Sequence, residues 1–201
     1  MILKKKYDSL SDEQLMVLVS QKEAKAFEAI YDRYSRQMFT FFCRMLWKDR
    51  EKARDFTQEL FSKIIHKTEL YDPSRSFKTW LYSVAHNMCK NEYAKHEVRQ
   101  NVHAEIKYTS SKTDAQDAIK SMDRASFHEK LEEALLELDE IKRSTFELRF
   151  KHEMSITEIS EAMQCSEGTV KSRLFYTLKE LQTKLKQFEG ILLWILLMQW
   201  I

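Results

Sequence analysis

Turn-forming residues are almost absent from this chain, which has two glycines and one proline among 201 residues. Hairpins and sheet connections rely on glycine for a positive φ and on proline for a fixed φ, so the composition argues against a β-rich fold. Leucine, glutamate, lysine, glutamine and methionine, which favour helices, are plentiful instead. The chain is therefore predicted to be all-α, and its 43% of hydrophobic residues can bury a sizeable core.

The first half of the chain has the periodicity of amphipathic helices, because apolar residues recur at three- and four-residue steps. Ser11 and Gln14 have the spacing of a capping box, and a long helix is predicted from Ala24 to about Trp47. Asp49 can cap the next helix. The predicted buried stripe of that helix consists of Ala53, Phe56, Leu60, Ile64 and Ile65.

A loop around the only proline, Pro73, precedes a further helix. Either Ser74 or Ser76 can cap this helix, which is predicted to extend to about Lys95.

The remainder of the chain changes in character twice. A polar stretch with little hydrophobic periodicity is predicted to be a mobile linker, and helical periodicity resumes after it. We therefore expect two small helical domains joined by a flexible linker. The predicted units are residues 10–96, the linker 97–127, residues 128–187 and an apolar tail at 188–201.

Two short helices in the second domain have the spacing of a helix-turn-helix. Ser155 and Glu158 form a second capping box, Ser166 can cap the following helix, and only Gln164 and Cys165 remain for the turn. At 100° per residue, the apolar residues of the last helix fall on one side and form a leucine-rich seam, which should be buried. The seam consists of Val170, Leu174, Leu178, Leu181 and Leu185.

The opposite side of this last helix has the chemistry of a DNA-reading surface. It is formed by Gly168, Thr169, Lys171, Ser172, Arg173 and Tyr176. Cationic groups and hydroxyls contact phosphates or base edges, and a glycine at the helix N-terminus lets the backbone approach a phosphate closely. An ordinary solvated helix face is the alternative, which the helix-turn-helix spacing weakens.

Residues 135–185 resemble region 4 of bacterial sigma factors of the extracytoplasmic-function group. The stretch "EISEAMQCSEGTVKSRL", from Glu158 to Leu174, is the most specific part. Asp139 stands where the family usually has proline, and Gln164 stands where the turn commonly has glycine. The second difference indicates either a turn that needs no left-handed residue or a slightly strained one.

The front half resembles sigma region 2, in the family's order. The stretches that carry the likeness are "FEAIYDRYSRQMFTFFCRML", "DREKARDFTQELFSKII" and "FKTWLYSVAHNMCKNEYAKH". Response regulators share similar recognition helices but have no such front half. The resemblance covers roughly residues 10–96 and 128–187.

The resemblance implies a role for each surface. Asp55, Gln58 and Glu59 would dock on the β′ clamp helices of RNA polymerase core, and region 4 would contact the β flap and the −35 element. The residues implied in capturing the melted −10 strand are Tyr71, Phe77, Lys78, Tyr82, Asn87, Lys90 and Asn91. Trp80 falls in the family's buried pattern.

Further implications concern partners and location. Promoter DNA and core polymerase are the expected partners, and the family adds an anti-sigma factor, commonly membrane-tethered. No cofactor or small-molecule substrate is implied, and the expected location is the cytoplasm. The N-terminus lacks the long apolar core of a signal peptide, and three widely spaced cysteines suit a reducing compartment.

Other function classes fit less well. No nucleophile–base set, Gly-rich phosphate loop or paired carboxylates suggest an enzyme. His86 and Cys89 could ligate a metal, but no second pair with matching spacing completes a tetrahedral site. The main alternative is a conventional helix-turn-helix regulator that does not bind polymerase as a sigma factor.

The tail "GILLWILLMQWI" is almost wholly apolar and lies outside the family motif. It is shorter than the ~20 residues that a membrane helix needs. It could pack on region 4, anchor the chain to a partner or a membrane surface, or promote aggregation. Packing or partner contact is favoured, because no basic amphipathic face precedes it.

Overall fold

The computed structural model describes residues 7–104 and 124–186, with side chains for residues 7–98 and 127–186. These described residues form helices and contain no strand, which confirms the all-α prediction. In chain order the elements are α1 (Asp12–Ser20), α2 (Ala24–Met45), α3 (Arg50–His66), a 3-10 turn (Thr68–Leu70), α4 (Phe77–Ala104), α5 (Arg124–Leu136), α6 (Glu140–Phe146), a π-helical segment (Glu147–Lys151), α7 (Ile156–Ala162) and α8 (Glu167–Lys184).

Polar side chains cap the helices where the sequence predicts them. Both capping boxes are present, at Ser11 and at Ser155. Asp49 caps α3, Ser166 caps α8, and Ser76 accepts a hydrogen bond from the Thr79 amide at the start of α4. Each such cap stabilises a helix by about 1 kcal/mol, because it satisfies an amide that lacks a partner within the helix.

Helices α1 to α4 enclose the main core. Several of its largest side chains are fully buried, including Phe41, Phe42 and Leu60. Phe41 and Phe42 contact each other edge to face, with ring centroids 5.8 Å apart. Ile65 is 44% exposed, contrary to its predicted place in the buried stripe of α3. Its neighbour Ile64 occupies the seam, so Ile65 is rotated about 100° out of it.

Helix α4 is longer than its sequence periodicity predicts. It continues past Lys95 to Ala104, into the stretch that was predicted as linker. Residues 105–123 and the apolar tail lie outside the described residues.

Helices α5, α6 and α8 enclose a second, smaller cluster. Its buried side chains are Phe127, Leu131, Ala134, Leu135, Leu138, Phe146, Leu181 and Leu185. The end of the α8 seam therefore belongs to this cluster, as its periodicity predicts.

The start of the α8 seam instead joins the main core. Val170 and Leu174, together with Ile159 and Ala162 of α7, are buried in one continuous cluster with residues of α1 to α4. Helix α7 packs directly against α4. The two predicted domains are therefore in contact in this structure.

Several hydrogen bonds cross this inter-domain contact along α2 and α4. Arg44 pairs with Glu147 at 3.0 Å, and the Ser144 hydroxyl lies 2.9 Å from Nδ1 of His86. Two more place the Tyr82 hydroxyl 2.7 Å from Nδ1 of His152 and the Arg143 guanidinium 2.9 Å from the Tyr93 hydroxyl.

Burial keeps both histidines of the inter-domain contact neutral at pH 7. Desolvation, with the nearby Lys90 and Arg173 cations, lowers the pKa of His86 to about 4. Desolvation, with Arg44, Lys78 and Lys151, lowers the pKa of His152 to about 4 as well. Protonation of either ring would place a positive charge in a desolvated site beside other cations.

Acid is therefore expected to destabilise the folded chain through these histidines. Because their folded pKa lies below the unfolded value of about 6.5, the loss begins as the pH falls below 6.5 and is complete near pH 4. For His86, which is 6% exposed, the contribution is roughly 3 kcal/mol. Thermal melts from pH 7 to pH 4 should show a shallower decline for His86→Asn than for the native chain.

His66, exposed at the end of α3, provides the matched control. The melting temperature of His66→Asn should fall with pH as that of the native chain does. The carboxylates are the same in all three proteins, so they do not account for a difference between the slopes. Identical slopes for all three would contradict the assignment.

Candidate nucleic-acid interface

The helix-turn-helix consists of α7, a short turn and α8. Gln164 occupies the turn with a φ of 52°, in the left-handed region that favours glycine. The Cys165 amide donates a 3.0 Å hydrogen bond to the Ser160 carbonyl and so closes the end of α7. Of the two possibilities raised by Gln164, the structure shows the strained left-handed turn.

The sequence-predicted DNA face of α8 lies open. Gly168, Lys171, Ser172 and Tyr176 are exposed, and Thr169 and Arg173 are half-buried. The Ser166 hydroxyl accepts a hydrogen bond from the Thr169 amide, which orders the first turn of the helix. The residues predicted for this surface therefore lie on the accessible side of α8, with Lys171 and Arg173 at its two edges.

Gly168 serves no packing need within the fold. Its φ is not positive, and a Cβ built there would meet only the Ser166 hydroxyl, at an ordinary 3.8 Å. A larger residue would fit, so the open space in front of this glycine lies on the outside of α8. That geometry suits a partner that approaches the backbone.

One basic residue of this surface was missed by the sequence reasoning. Lys142 of α6 joins Ser166 and five of the predicted residues, all except Lys171, around a concavity of about 550 Å³. Its ammonium group contacts Glu180 at 2.9 Å and Asp139 at 3.1 Å, and these hydrogen bonds raise its pKa. Nothing in the local sequence marks Lys142, because packing of α6 against α8 brings it there.

Part of the predicted −10 surface is also open. Asn87, Lys90 and Asn91 are exposed and lie within about 100° of one another around α4. Two amides and one ammonium group thus form an exposed polar strip along α4.

The aromatic members of that predicted surface are buried in this structure. Tyr71 and Phe77 contact each other edge to face at 5.6 Å, and the half-buried Trp80 packs on both. Tyr82 is fully buried, with its ring 5.7 Å from that of Phe41. Their rings are therefore not accessible to a base in this arrangement.

Lys78 and Tyr82 are held by the second domain. The Lys78 ammonium group donates a 3.0 Å hydrogen bond to the carbonyl of His152, whose ring contacts the Tyr82 hydroxyl. The structure thus separates the predicted −10 residues into an open strip and a covered pair.

The predicted polymerase-docking residues lie together on α3. Asp55, Gln58 and Glu59 are all exposed, at the spacing that places side chains on one side of a helix. Glu59 pairs with Lys63 at 2.6 Å on the same surface. The buried side chains of α3 face the opposite way, so this surface is free for a partner.

Family comparisons match both halves of the chain. Residues 30–99 match the model of sigma-70 region 2, and residues 128–181 match that of sigma-70 region 4. The chain belongs to the sigma-70 family, in its extracytoplasmic-function group. The fold and the order of the two regions agree with the family predicted from the sequence.

Relatives cover most of this sigma factor. The RNA polymerase sigma-H factor of Pseudomonas aeruginosa is 29% identical over 171 residues, which cover 82% of this chain and 88% of the relative. The extracytoplasmic-function sigma factor SigW of Bacillus subtilis is 27% identical over 178 residues, which cover 84% of this chain and 93% of the relative.

Solved structures share the fold of this sigma factor. CnrH, solved in complex with the cytosolic domain of CnrY, matches with a TM-score of 0.65 and 19% identity, over 88% of this chain and 98% of CnrH. RpoE of Bartonella quintana, solved with the anti-sigma factor NepR, matches with a TM-score of 0.62 and 21% identity, over 81% and 98% of the two chains.

The described parts of the sigma factor contain neither a metal-binding cluster nor a helix that could span a membrane. Within residues 7–98 and 127–186, no cluster of three or more His, Cys, Asp or Glu side chains could hold a metal. His86 bonds to Ser144, and Cys89 is buried as a free thiol. No helix in the described part of the chain has the length and apolar character needed to span a membrane.

Relief of the turn strain is expected to stabilise region 4. Gln164→Gly should raise the free energy of unfolding by about 0.5–1 kcal/mol, because glycine adopts this φ without the steric cost that other residues incur. Chemical denaturation measures the effect.

Gln182→Gly is the matched control, because Gln182 is exposed within the regular part of α8. There the same substitution should lower stability by about 1 kcal/mol. If both variants are destabilised equally, Gln164 is not strained.

Proposed function

We propose that this sigma factor directs RNA polymerase to specific promoters and assists their melting, through region 2 (residues 10–96) and region 4 (residues 128–187). The observation that carries the proposal is the presence of both family regions in one chain, in order, each with an accessible polar face. A sigma factor acts by binding and positioning, so the proposal requires no chemical step.

Region 4 would read duplex DNA at the −35 element with α8 in the major groove. Lys171 and Arg173 supply cations and donors to phosphates or guanine, and Ser172 supplies a hydroxyl. The N-terminus of α8 directs free amides and a partial positive charge outward beside Gly168, which suits a phosphate. Lys142 would extend this surface to the neighbouring backbone.

Region 2 would hold the melted non-template strand at the −10 element. The amides of Asn87 and Asn91 can hydrogen-bond a base edge, and Lys90 can follow the phosphates. Stacking on an aromatic ring contributes about 1–3 kcal/mol per base, enough to favour the opened strand. Tyr82 and Lys78 would join this surface once region 4 moves away.

The two regions must separate to occupy both promoter elements. Bases along a strand are about 3.4 Å apart, so elements centred some 25 base pairs apart are separated by about 85 Å. The regions touch in this structure. Residues 105–123, if fully extended, reach about 65 Å, and the lengths of the domains supply the rest.

Asp55, Gln58 and Glu59 would dock region 2 on the β′ clamp helices of core polymerase, and region 4 would contact the β flap. Since RpoE of Bartonella quintana was solved with the anti-sigma factor NepR, we propose an anti-sigma factor for this chain too. The cytoplasm, where polymerase acts, is the proposed location.

Transcription in vitro tests the proposal. Purified chain and core polymerase should produce run-off transcripts from promoters mapped after overproduction in the native host, with no other sigma factor present. Tight binding to promoter DNA without initiation would instead favour a conventional helix-turn-helix regulator.

Removal of a docking carboxylate should weaken the interaction with core polymerase. Asp55→Ala is expected to lower affinity for core by about tenfold, as for the loss of one charge-assisted hydrogen bond, without changing the melting temperature. Glu69→Ala, an exposed carboxylate in the 3-10 turn outside the docking surface, is the control. Fluorescence anisotropy of labelled sigma factor measures both, and equal affinities would exclude Asp55 from the interface.

Gly168→Ala should separate DNA binding from stability. Alanine is expected to stabilise α8 by up to about 1 kcal/mol, because it is the better helix former and meets no clash. The added methyl group should nevertheless lower affinity for −35 duplex about tenfold by blocking one close backbone contact.

Thr183→Ala, exposed at the far end of α8, is the control for both measurements. Native affinity in Gly168→Ala would show that DNA does not approach this backbone.

A further inference from the structure

We propose that the free chain has a binding site for a small polyphosphate anion, in the cavity between α2, the start of α4 and the end of the π-helical segment. The ligand class is a chain of phosphate groups, either inorganic or attached to a nucleoside. This inference goes beyond the proposed function, because neither promoter recognition nor melting requires a small ligand.

Basic side chains from separate parts of the chain converge on this cavity, whose volume is about 490 Å³. Sites for small molecules usually have volumes of roughly 300–1,000 Å³. The cations that line the cavity are Arg36 and Arg44 of α2, Lys78 of α4 and Lys151 of the π-helical segment. Tertiary packing brings this set together, so it is not a run of charge along one solvated helix.

The fold neutralises only one of these four cations with an ion pair. The Arg44 guanidinium pairs with the buried Glu147 at 3.0 Å. The other three cations have no ion-pair partner among the described residues. Glu153 is the acidic side chain among the described residues of the lining, and it offsets one of the three unpaired charges. Two positive charges therefore remain for a ligand to balance.

His152 also lines the cavity and can supply a neutral donor. Burial, together with the nearby cations, lowers its pKa to about 4, so the ring is neutral at pH 7. The Tyr82 hydroxyl, 2.7 Å from Nδ1, can donate to that atom and leave the ring proton on Nε2. Nε2 is buried and has no hydrogen-bond partner among the described residues. Native folds rarely leave such a group unsatisfied, which points to a ligand as its partner.

The excess of charge selects a ligand with at least two negative charges. One phosphate ester carries about −1.5 to −2 charges at pH 7, and a chain of phosphates carries more. Guanidinium groups bind phosphate oxygens in pairs, and ammonium groups bind them as point charges. Because the cations lie around the cavity, a chain of phosphates can contact several of them at once. A nucleic-acid strand suits the cavity less well, since it would have to pass between regions 2 and 4.

Isothermal titration calorimetry of the full chain with sodium tripolyphosphate, without divalent cations, tests the proposal. We expect saturable binding of one tripolyphosphate per chain. Arg36→Gln and Lys151→Gln should each raise the Kd about tenfold, as for the loss of one charge-assisted hydrogen bond. Both variants should keep the native melting temperature, because neither residue has an ion-pair partner among the described residues.

Lys25→Gln is the matched control, because Lys25 is an exposed cation of α2 that lies about 16 Å along the helix from Arg36. It should bind tripolyphosphate with the native Kd. Backbone amide spectra of the native chain by NMR locate the site. The shifts caused by tripolyphosphate should be largest at residues 151–153 and should not appear in α8.

A parallel titration with ATP separates the two sources of a phosphate chain. Tighter binding of ATP than of tripolyphosphate assigns a nucleoside ligand, and equal or weaker binding assigns an inorganic one.

Three results would overturn the inference. The first is the absence of saturable binding, and the second is the native Kd in both cavity variants. The third is a single strand of ten thymidines that binds more tightly than tripolyphosphate and loses affinity in the same two variants. That result would assign the cavity to a nucleic-acid backbone.

Discussion

The packing of α4 against α7 determines how the surfaces of this sigma factor are divided. Helix α4 has three functional sides. Leu81 and Ala85 pack into the core of region 2, and Tyr82 and His86 meet region 4. The remaining side carries the exposed strip of Asn87, Lys90 and Asn91. Because one helix carries all three, any movement of region 4 changes what α4 can bind and also exposes part of the apolar cluster that the two regions share.

Local features of this fold were predictable from the sequence, because they depend on neighbours within one helical turn. The capping residues Ser11, Asp49, Ser155 and Ser166 needed only their spacing to a following amide. The exposed and buried sides of α8 followed from a period of 3.6 residues. Recognition of the family added the implied roles of Asp55 and the α4 strip, which the residues alone would not have revealed.

Features set by long-range packing were not predictable in the same way. The contribution of Lys142 depends on α6 meeting α8, and the burial of Tyr82 depends on the approach of region 4. A polar or aromatic side chain on an amphipathic helix has the same local pattern whether it faces solvent or another domain. The extension of α4 to Ala104 was missed because polar residues carry little hydrophobic periodicity even when they are helical.

The scarcity of glycine that identifies the fold also affects how its helices end. Lys22, Trp47, Lys48, Glu153 and Gln164 all have φ between 52° and 63°, where glycine is usually found. A left-handed non-glycine residue costs roughly 1–2 kcal/mol, so the helix packing around these turns must offset that strain.

Under the proposed function, polymerase would separate regions 2 and 4, which are in contact in this structure. If the −10 surface were available in only 1% of free molecules, its apparent affinity for a melted strand would fall about a hundredfold. That reduction disappears once core enzyme holds the regions apart, because the separation is then provided by docking. Two weakly binding DNA modules at a fixed distance also gain affinity through effective concentration. The same chain would thus bind opened DNA poorly alone and well on polymerase, which is the behaviour that a dissociable specificity subunit requires.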